Sequence, residues 1–149
     1  MRHAVPALAA VLLVLAAGCA DSRNLRTIRD QADFDRTVLW SSRPVLVSFY
    51  KENCPSCRML NPTLDRLAGE YKGRVVFAEF ETVTASLDVP SEKIKRKYDI
   101  EVFPTVILFL NGRQKYRFVG DPNIENYREA LNEVCRYVAG TAAPRKRAG

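Results

Sequence analysis

The sequence predicts an α/β fold in which a central mixed β-sheet is flanked by helices. Three observations support this: short apolar runs with the length of buried strands, helical periodicities between those runs, and an Asn-Gly turn late in the chain. The chain has 149 residues, of which 47% are hydrophobic and 27% charged. This size and composition fit one small globular domain and leave little room for a second.

The N-terminal residues do not resemble part of a fold. Residues 7–17 are an apolar run with the length of a signal-peptide core, too short for a comfortable membrane span. Residues 15–19, LAAGC, resemble the lipobox of bacterial lipoproteins, which implies acylation of Cys19 and cleavage just before it. We therefore expect a lipoprotein signal peptide at 1–18 and a short tether at 19–24. The alternative is an ordinary secretory signal with an incidental cysteine.

The first half of the domain is predicted to alternate strands and helices. A short edge strand precedes a helix that starts at Asp30 or Gln31, and a later helix contains Pro62 as a kink. Two apolar runs have the character of strands buried on both faces. The predicted ranges are a strand at 25–28, a helix from 30 or 31 to about 39, a strand at 45–50, a helix at 58–71 and a strand at 74–80.

The second half adds a hairpin and a final amphipathic helix. Its predicted ranges are a loop at 82–92, a basic helix at 93–98, a strand at 105–110, a turn at 111–112, a strand at 114–119 and a helix at 123–139. The last helix carries an apolar stripe of Ile124, Tyr127, Leu131, Val134 and Val138. Because helix-separated strands pair in parallel, we expect parallel pairs and one antiparallel hairpin at the edge. The domain is predicted over 25–140.

The formal net charge is +6, and the chain without residues 1–18 has 22 Lys/Arg and 17 Asp/Glu, a balance of +5. Three of these charges, Arg145, Lys146 and Arg147, lie in the tail predicted at 141–149 and account for most of that excess. Nucleic-acid binding is a poor interpretation for an exported, anchored domain. A weak attraction to anionic lipid fits better. A solvated tail without a function is the alternative.

Four cysteines and one histidine limit the chemistry. His3 lies in the predicted signal peptide, so the mature chain offers too few ligands for a zinc site, and we expect no metal or other cofactor. Covalent haem would need a histidine where Arg58 stands. Three roles remain open for Cys54 and Cys57: their thiolates hold copper(I), they form a structural disulfide without a redox role, or they are a redox pair. Cys135 is predicted to fill the core beside the last apolar stripe, or to form a regulatory or intermolecular disulfide.

The spacing of Cys54 and Cys57 suits redox chemistry. Cys54 follows a buried strand at the mouth of a helix, where unpaired backbone N–H groups favour a thiolate. Such sites lower a cysteine pKa from about 8.5 to roughly 3.5–7.5. Cys57 lies one turn inward and is expected to be more buried. We therefore expect Cys54 to attack a substrate disulfide and Cys57 to resolve the mixed disulfide.

Together these features resemble the thioredoxin superfamily over residues 25–139. The Cys-x-x-Cys pair follows a buried strand, Pro62 comes five residues after Cys57, and VFPT at 102–105 matches the loop before a late strand. Asn111-Gly112 and Gly120 match the last turns. The resemblance implies a thioredoxin-like fold, a cis peptide at Pro104 that faces the sulfurs, and substrate binding by strand addition at Phe103, Pro104 and Thr105.

Two positions depart from the family pattern around the site. Asn53 stands where tryptophan is usual, so the substrate-binding rim loses an aromatic platform. Ser48 replaces a buried aspartate that helps take the proton from the resolving cysteine. Glu79, where lysine is common, is hypothesised to replace that carboxylate as a catalytic residue. The alternative is a strand-end glutamate in solvent.

The dipeptide between the cysteines also departs from typical thioredoxins. Pro55 has no N–H and removes one donor to the Cys54 thiolate, whereas the Ser56 hydroxyl could return one. Pro55 thus disfavours the Cys54 thiolate and Ser56 favours it, so their effects on the Cys54 thiolate oppose each other.

The thioredoxin resemblance implies a thiol–disulfide oxidoreductase, and the lipobox-like segment implies a lipid anchor and an extracytoplasmic location. We expect a monomer. A disulfide reductase is favoured because the chain lacks the inserted helical domain of the strong oxidases. Its expected partners are protein disulfide substrates and a membrane thiol electron donor. Ala20 after the lipidated cysteine indicates the outer membrane in a Gram-negative organism. A disulfide oxidase or isomerase, a non-catalytic client-binding module and a copper(I)-handling module remain alternatives.

Overall fold

Five strands and four α-helices follow one another in the part of the chain that the computed structural model describes, residues 24–83 and 92–142. α1 continues directly into a π-helical segment, Asp35–Leu39. The elements are β1 (Arg26–Ile28), α1 (Gln31–Phe34), β2 (Val45–Lys51), α2 (Pro55–Glu70), β3 (Val76–Val83), α3 (Glu92–Lys97), β4 (Thr105–Leu110), β5 (Arg113–Val119) and α4 (Ile124–Ala142). Their order confirms the predicted alternation of strands and helices.

The sheet is mixed, as predicted, with strand order β1-β3-β2-β4-β5. β3 pairs in parallel with β1 and β2, whereas β4 pairs antiparallel with both β2 and β5. The expectation that helix-separated strands pair in parallel is therefore wrong for β4. The register of β4 on β2 places Thr105 beside Phe49 and Phe109 beside Val45. β4 therefore starts at the sheet end where β2 and β3 finish.

Helices cover both faces of the sheet and form two apolar cores. α2 and α4 pack on one face, where Leu64, Leu67, Tyr127 and Leu131 are fully buried. The stripe predicted for the last helix lies on this core. On the other face α1 and α3 surround an aromatic cluster in which the ring centroids lie 5.2–6.4 Å apart; its members are Phe34, Phe49, Phe80, Tyr98 and Phe109. Each pair of helices is thus held against its own face of the sheet by one of the two cores.

A few predicted boundaries differ from the structure. β3 extends to Val83, so residues 82 and 83 belong to the strand and not to the predicted loop. The rest of that loop, residues 84–91, lies outside the described residues, as do the predicted signal peptide, Cys19 and the basic segment 143–149. Among residues 24–83 and 92–142, no helix combines the length and apolar character needed to cross a bilayer.

Gly112 in the β4–β5 turn packs closely against the backbone of Leu39. Its φ is +71°, and a Cβ there would lie 2.8 Å from the Leu39 carbonyl oxygen. Gly112→Ala should lower the free energy of unfolding by about 2–4 kcal/mol, because left-handed strain and a clash with rigid backbone add together. Urea denaturation measures the loss.

Gly73→Ala is the matched control. Gly73 also has a positive φ, of +81°, but its Cβ would meet nothing within 4 Å. We expect it to cost only about 1 kcal/mol, the conformational part of the loss. Equal losses in the two variants would mean that the contact between Leu39 and the turn contributes nothing.

Candidate redox site

Cys54 and Cys57 form a disulfide with a Cα–Cα distance of 5.3 Å at the N-terminus of α2. Cys54 is the N-cap residue, and its Sγ accepts a hydrogen bond from the Cys57 backbone N–H at 3.2 Å. Pro55 starts the helix, where its missing N–H leaves no intrahelical bond unmade. Asn53 has a φ of 56°, a left-handed conformation that asparagine tolerates. The chain thereby turns from β2 into α2 within three residues.

The two cysteines are equally buried, each with 5% of its surface exposed. The expectation that Cys57 is the more buried of the pair is therefore wrong for the disulfide form. The bond turns the Cys54 sulfur inward against the first turn of α2, which removes it from solvent.

Ser56 connects the redox pair to that loop. Its Oγ lies 3.3 Å from Cys54 Sγ and donates a hydrogen bond to the Phe103 carbonyl oxygen at 3.2 Å. One hydroxyl proton therefore faces two acceptors, a sulfur and a backbone carbonyl. The sequence indicated that Ser56 could supply a donor to Cys54, but its contact with Phe103 links residues 47 positions apart and has no local signal.

The loop before β4 has the predicted cis peptide between Phe103 and Pro104. Thr105 begins β4, and its Oγ1 donates to the Val102 carbonyl at 2.7 Å. Pro104 also accepts a hydrogen bond from the Gly120 N–H at 2.9 Å, which ties the loop to the end of β5. A mostly apolar groove lies beside the disulfide; it is lined by Ser56, Met59, Leu60, Pro104, Gly120 and Pro122.

A second cavity, of about 210 Å³, lies behind the disulfide and includes Glu79 in its lining together with both cysteines. Glu79 is 7% exposed in the middle of β3, so it is not a strand-end glutamate in solvent. Its Oε1 accepts a hydrogen bond from Thr27 Oγ1 at 3.1 Å. Glu79 pairs with Thr27 on one side and with Ser48 on the other, so the three form one polar row across the sheet.

Glu81 is a further acidic residue of this cavity that the sequence analysis missed. Burial, and then the nearby carboxylates of Glu52 and Glu79, raise the pKa of Glu81 above its usual value. Strand alternation could have found it, because residues two apart in β3 lie on the same face. Because Glu52 also lines this cavity, the cavity offers three carboxylates beside the cysteine pair.

Cys135 lies outside the site. It is half-buried and packs against the core on the α2 and α4 side of the sheet, in agreement with the interpretation as core filler. Burial raises the pKa of its thiol, which favours the protonated form.

Comparison with known proteins agrees with this geometry. The family model described as Thioredoxin matches residues 26–133. The chain belongs to the thioredoxin family. It is 38% identical over 89 residues to thioredoxin of Rickettsia felis, covering 60% of this chain and 79% of that protein.

Two further relatives extend the comparison. Chloroplastic thioredoxin M5 of Oryza sativa subsp. japonica is 34% identical over 102 residues, which cover 68% of this chain but only 56% of that protein. Among solved structures, the thioredoxin of Malassezia sympodialis superposes with a TM-score of 0.59 at 18% identity, covering 76% of this chain and 92% of that one. The structural match confirms the thioredoxin-like fold.

The contact between Ser56 and Cys54 predicts an effect on thiol ionisation. In the reduced protein Ser56→Ala should raise the pKa of the Cys54 thiol by about one unit, because a donor to a charged acceptor contributes about 1.5 kcal/mol. Thiolate absorbance followed against pH measures the change. Ser56→Thr keeps the hydroxyl and should titrate like the wild type; identical curves for Ser56→Ala would contradict the assignment.

Proposed function

We propose that this protein is a membrane-anchored, extracytoplasmic thiol–disulfide oxidoreductase that works as a disulfide reductase on exported proteins. The observation that carries the proposal is the Cys54–Cys57 disulfide at the N-terminus of α2, beside the cis peptide at Pro104, in a chain of the thioredoxin family. The lipobox-like segment that ends at Cys19 supports the anchor and the extracytoplasmic location.

Each cycle transfers two electrons from the cysteine pair to a client. The Cys54 thiolate attacks one sulfur of a client disulfide, so that a Cys54–client bond forms and the client S–S bond breaks. Cys57 then loses its proton and attacks Cys54 Sγ, which releases the second client thiolate and forms the internal disulfide. The Cys57 N–H and the first turn of α2 stabilise the attacking thiolate.

The groove beside Pro104 supports client binding from the other side. An extended client segment placed there lies against the cis peptide, where the Phe103 backbone can pair with it. Thr105, predicted to share this role, is fully buried and already lies between β2 and β5, so its backbone has no free side for a client strand. The apolar lining from Met59, which is 80% exposed, to Pro122 accepts client side chains without demanding a fixed sequence. Asn53, predicted at the rim of the substrate site, lines the cavity that contains Glu79 and not this groove.

The size of the β3–β4 connection supports the proposed direction of transfer. Residues 84–104 are too few for the inserted helical domain that accompanies strong oxidases, which favours the reductase. Reduction potentials in this superfamily run from roughly −270 to −120 mV, about 7 kcal/mol for two electrons. A reductase also needs a donor, and we propose a thiol carrier in the membrane that re-reduces the pair.

The reduction potential of the Cys54–Cys57 pair tests this function. It is measured in the purified full-length chain by equilibration against dithiothreitol and glutathione buffers. We expect a value below roughly −230 mV. A value above roughly −180 mV would instead assign the protein to the oxidases or isomerases. Failure to form the disulfide at all would overturn the redox function in favour of a client-binding module.

Glu79 is proposed as the base that takes the Cys57 proton, directly or through water, because it lines the cavity behind the pair. Glu79→Gln should slow insulin disulfide reduction about tenfold or more, since general bases contribute on this order. It should also lower the pKa of Cys57, because a carboxylate near a thiol opposes ionisation.

Glu81→Gln is the matched control for this variant. It removes the same charge from the same cavity two residues along β3, and we expect a smaller effect on turnover. If Glu79→Gln changes neither the Cys57 titration nor the turnover, Glu79 has no part in proton transfer.

We further propose that the N-terminal lipid on Cys19 holds the domain close to its membrane. Five residues separate Cys19 from Leu25. Such a tether reaches about 17–18 Å when fully extended. Because Ala20 follows the lipidated cysteine, the proposed location in a two-membrane organism is the outer membrane, facing the periplasm.

A further inference from the structure

Three connections between secondary-structure elements lie at the end of the sheet opposite the disulfide. β2 and β3 both start there, since Val45 pairs with Val76, and the β4–β5 turn lies there because Val45 also pairs with Phe109. The connections are residues 40–44 before β2, residues 71–75 before β3 and residues 110–114 around the turn. Exposed side chains on them form what we call the basal surface: Trp40, Arg43, Lys72, Arg74 and Arg113.

Direct contacts show that this surface is continuous. A Cβ at Gly112 would lie 2.8 Å from the Leu39 carbonyl oxygen, so the β4–β5 turn lies against the residue before Trp40. The Arg43 Nη1 donates to the Gly73 carbonyl at 3.5 Å, which joins the first and second connections. The three connections therefore form one surface and not three separate turns.

The charge of the basal surface has one sign. Its four cationic residues are exposed, and the segments 40–44, 71–75 and 110–114 contain no aspartate or glutamate. Arg74 stacks on the Tyr71 ring at 4.6 Å and keeps its charge at the surface. Glu70, the last residue of α2, is neutralised by ion pairs with Arg66 and Arg128. No anion of the neighbouring helix end therefore offsets the basal cations.

Trp40 adds an aromatic ring to this basic surface. It is the single tryptophan of the sequence, and 73% of its surface is exposed. Tryptophan is favoured where one side of the ring meets water and the other meets the lipid headgroup region. Exposed arginine and lysine beside it are the residues that anionic headgroups attract.

We propose that the basal surface docks on an anionic phospholipid membrane, with Trp40 at the headgroup level and the four cationic residues on lipid phosphates. The orientation rests on the proposed N-terminal anchor. β1 runs parallel to β2 and β3, so the chain that precedes it enters from the basal end of the sheet. An anchor about 17–18 Å away at most brings this end, and not the disulfide end, to the lipid.

Docking in this orientation keeps the redox site away from the membrane. β2 starts at the basal end and leads to Cys54 after Lys51, and its seven residues span about 23 Å. The Cys54–Cys57 pair and the Pro104 groove then face the aqueous space. Soluble protein clients are accepted without competition from the lipid surface, whereas a donor buried in the same membrane needs the domain to undock.

Trp40 fluorescence tests the proposal in the full-length chain reconstituted into vesicles. Vesicles of phosphatidylcholine with about 30% phosphatidylglycerol are compared with phosphatidylcholine alone, each with brominated lipid as a contact quencher. We expect a blue shift and strong quenching of Trp40 only with the anionic lipid, reversed by high salt.

Two charge-reversal variants supply the contrast. Lys72→Glu/Arg113→Glu alters the basal surface at side chains that make no hydrogen bond or ion pair with other described residues, and its quenching should fall to the level of neutral vesicles. Lys93→Glu/Lys95→Glu on α3 makes the same change in net charge away from that surface and should behave as the wild type.

The outcomes separate this proposal from the proposed function. Equal Trp40 emission on anionic and neutral vesicles would overturn membrane docking, as would equal losses in the two variants, which would show an effect of net charge alone. Insulin reduction measured on the same samples reports the redox function independently.

Discussion

The redox site depends on where the N-terminus of α2 is held. Cys54 caps the helix, and the Cys57 N–H that points at its sulfur is available to a thiolate once the disulfide is reduced. The cap cannot shift, because Leu60, Leu64 and Leu67 fix the same helix in the core against the sheet. Apolar packing along α2 therefore holds a backbone donor at a fixed place for the reacting sulfur, and preorganised donors of this kind need no rearrangement during the reaction.

The reversal of β4 builds the other half of the site. Because β4 starts at the end where β2 finishes, the Phe103–Pro104 peptide arrives opposite Cys54, and Ser56 can reach the Phe103 carbonyl. The same arrangement leaves the inner side of the cysteine pair open to the polar row that crosses β1, β3 and β2. Donors to the attacking sulfur and acceptors for the resolving one thus lie on opposite sides of the disulfide.

Patterns of neighbouring residues predicted the strands and helices and the position of the cysteine pair. The apolar run of β4 has the bounds of the predicted strand, and the cysteine spacing placed the redox pair at a helix start. The direction of β4 was missed because the rule that helix-separated strands pair in parallel fails for it, and no residue pattern within the strand reports its direction. Likewise, the partner of Glu79 is Thr27, 52 residues away, and only the register of β1 on β3 brings them together.

Apart from Tyr137 on α4, the large exposed apolar side chains of the described residues lie at one or the other end of the sheet. Met59, Val102 and Val119 lie at the disulfide end, where aliphatic surface suits variable client segments. Trp40 lies at the basal end among cations, a combination that suits a lipid headgroup and not an unfolded client. A rigid five-stranded sheet separates them, so contact at one end leaves the other accessible. Such a division lets one small domain be held at a surface while its thiols remain directed at soluble substrates.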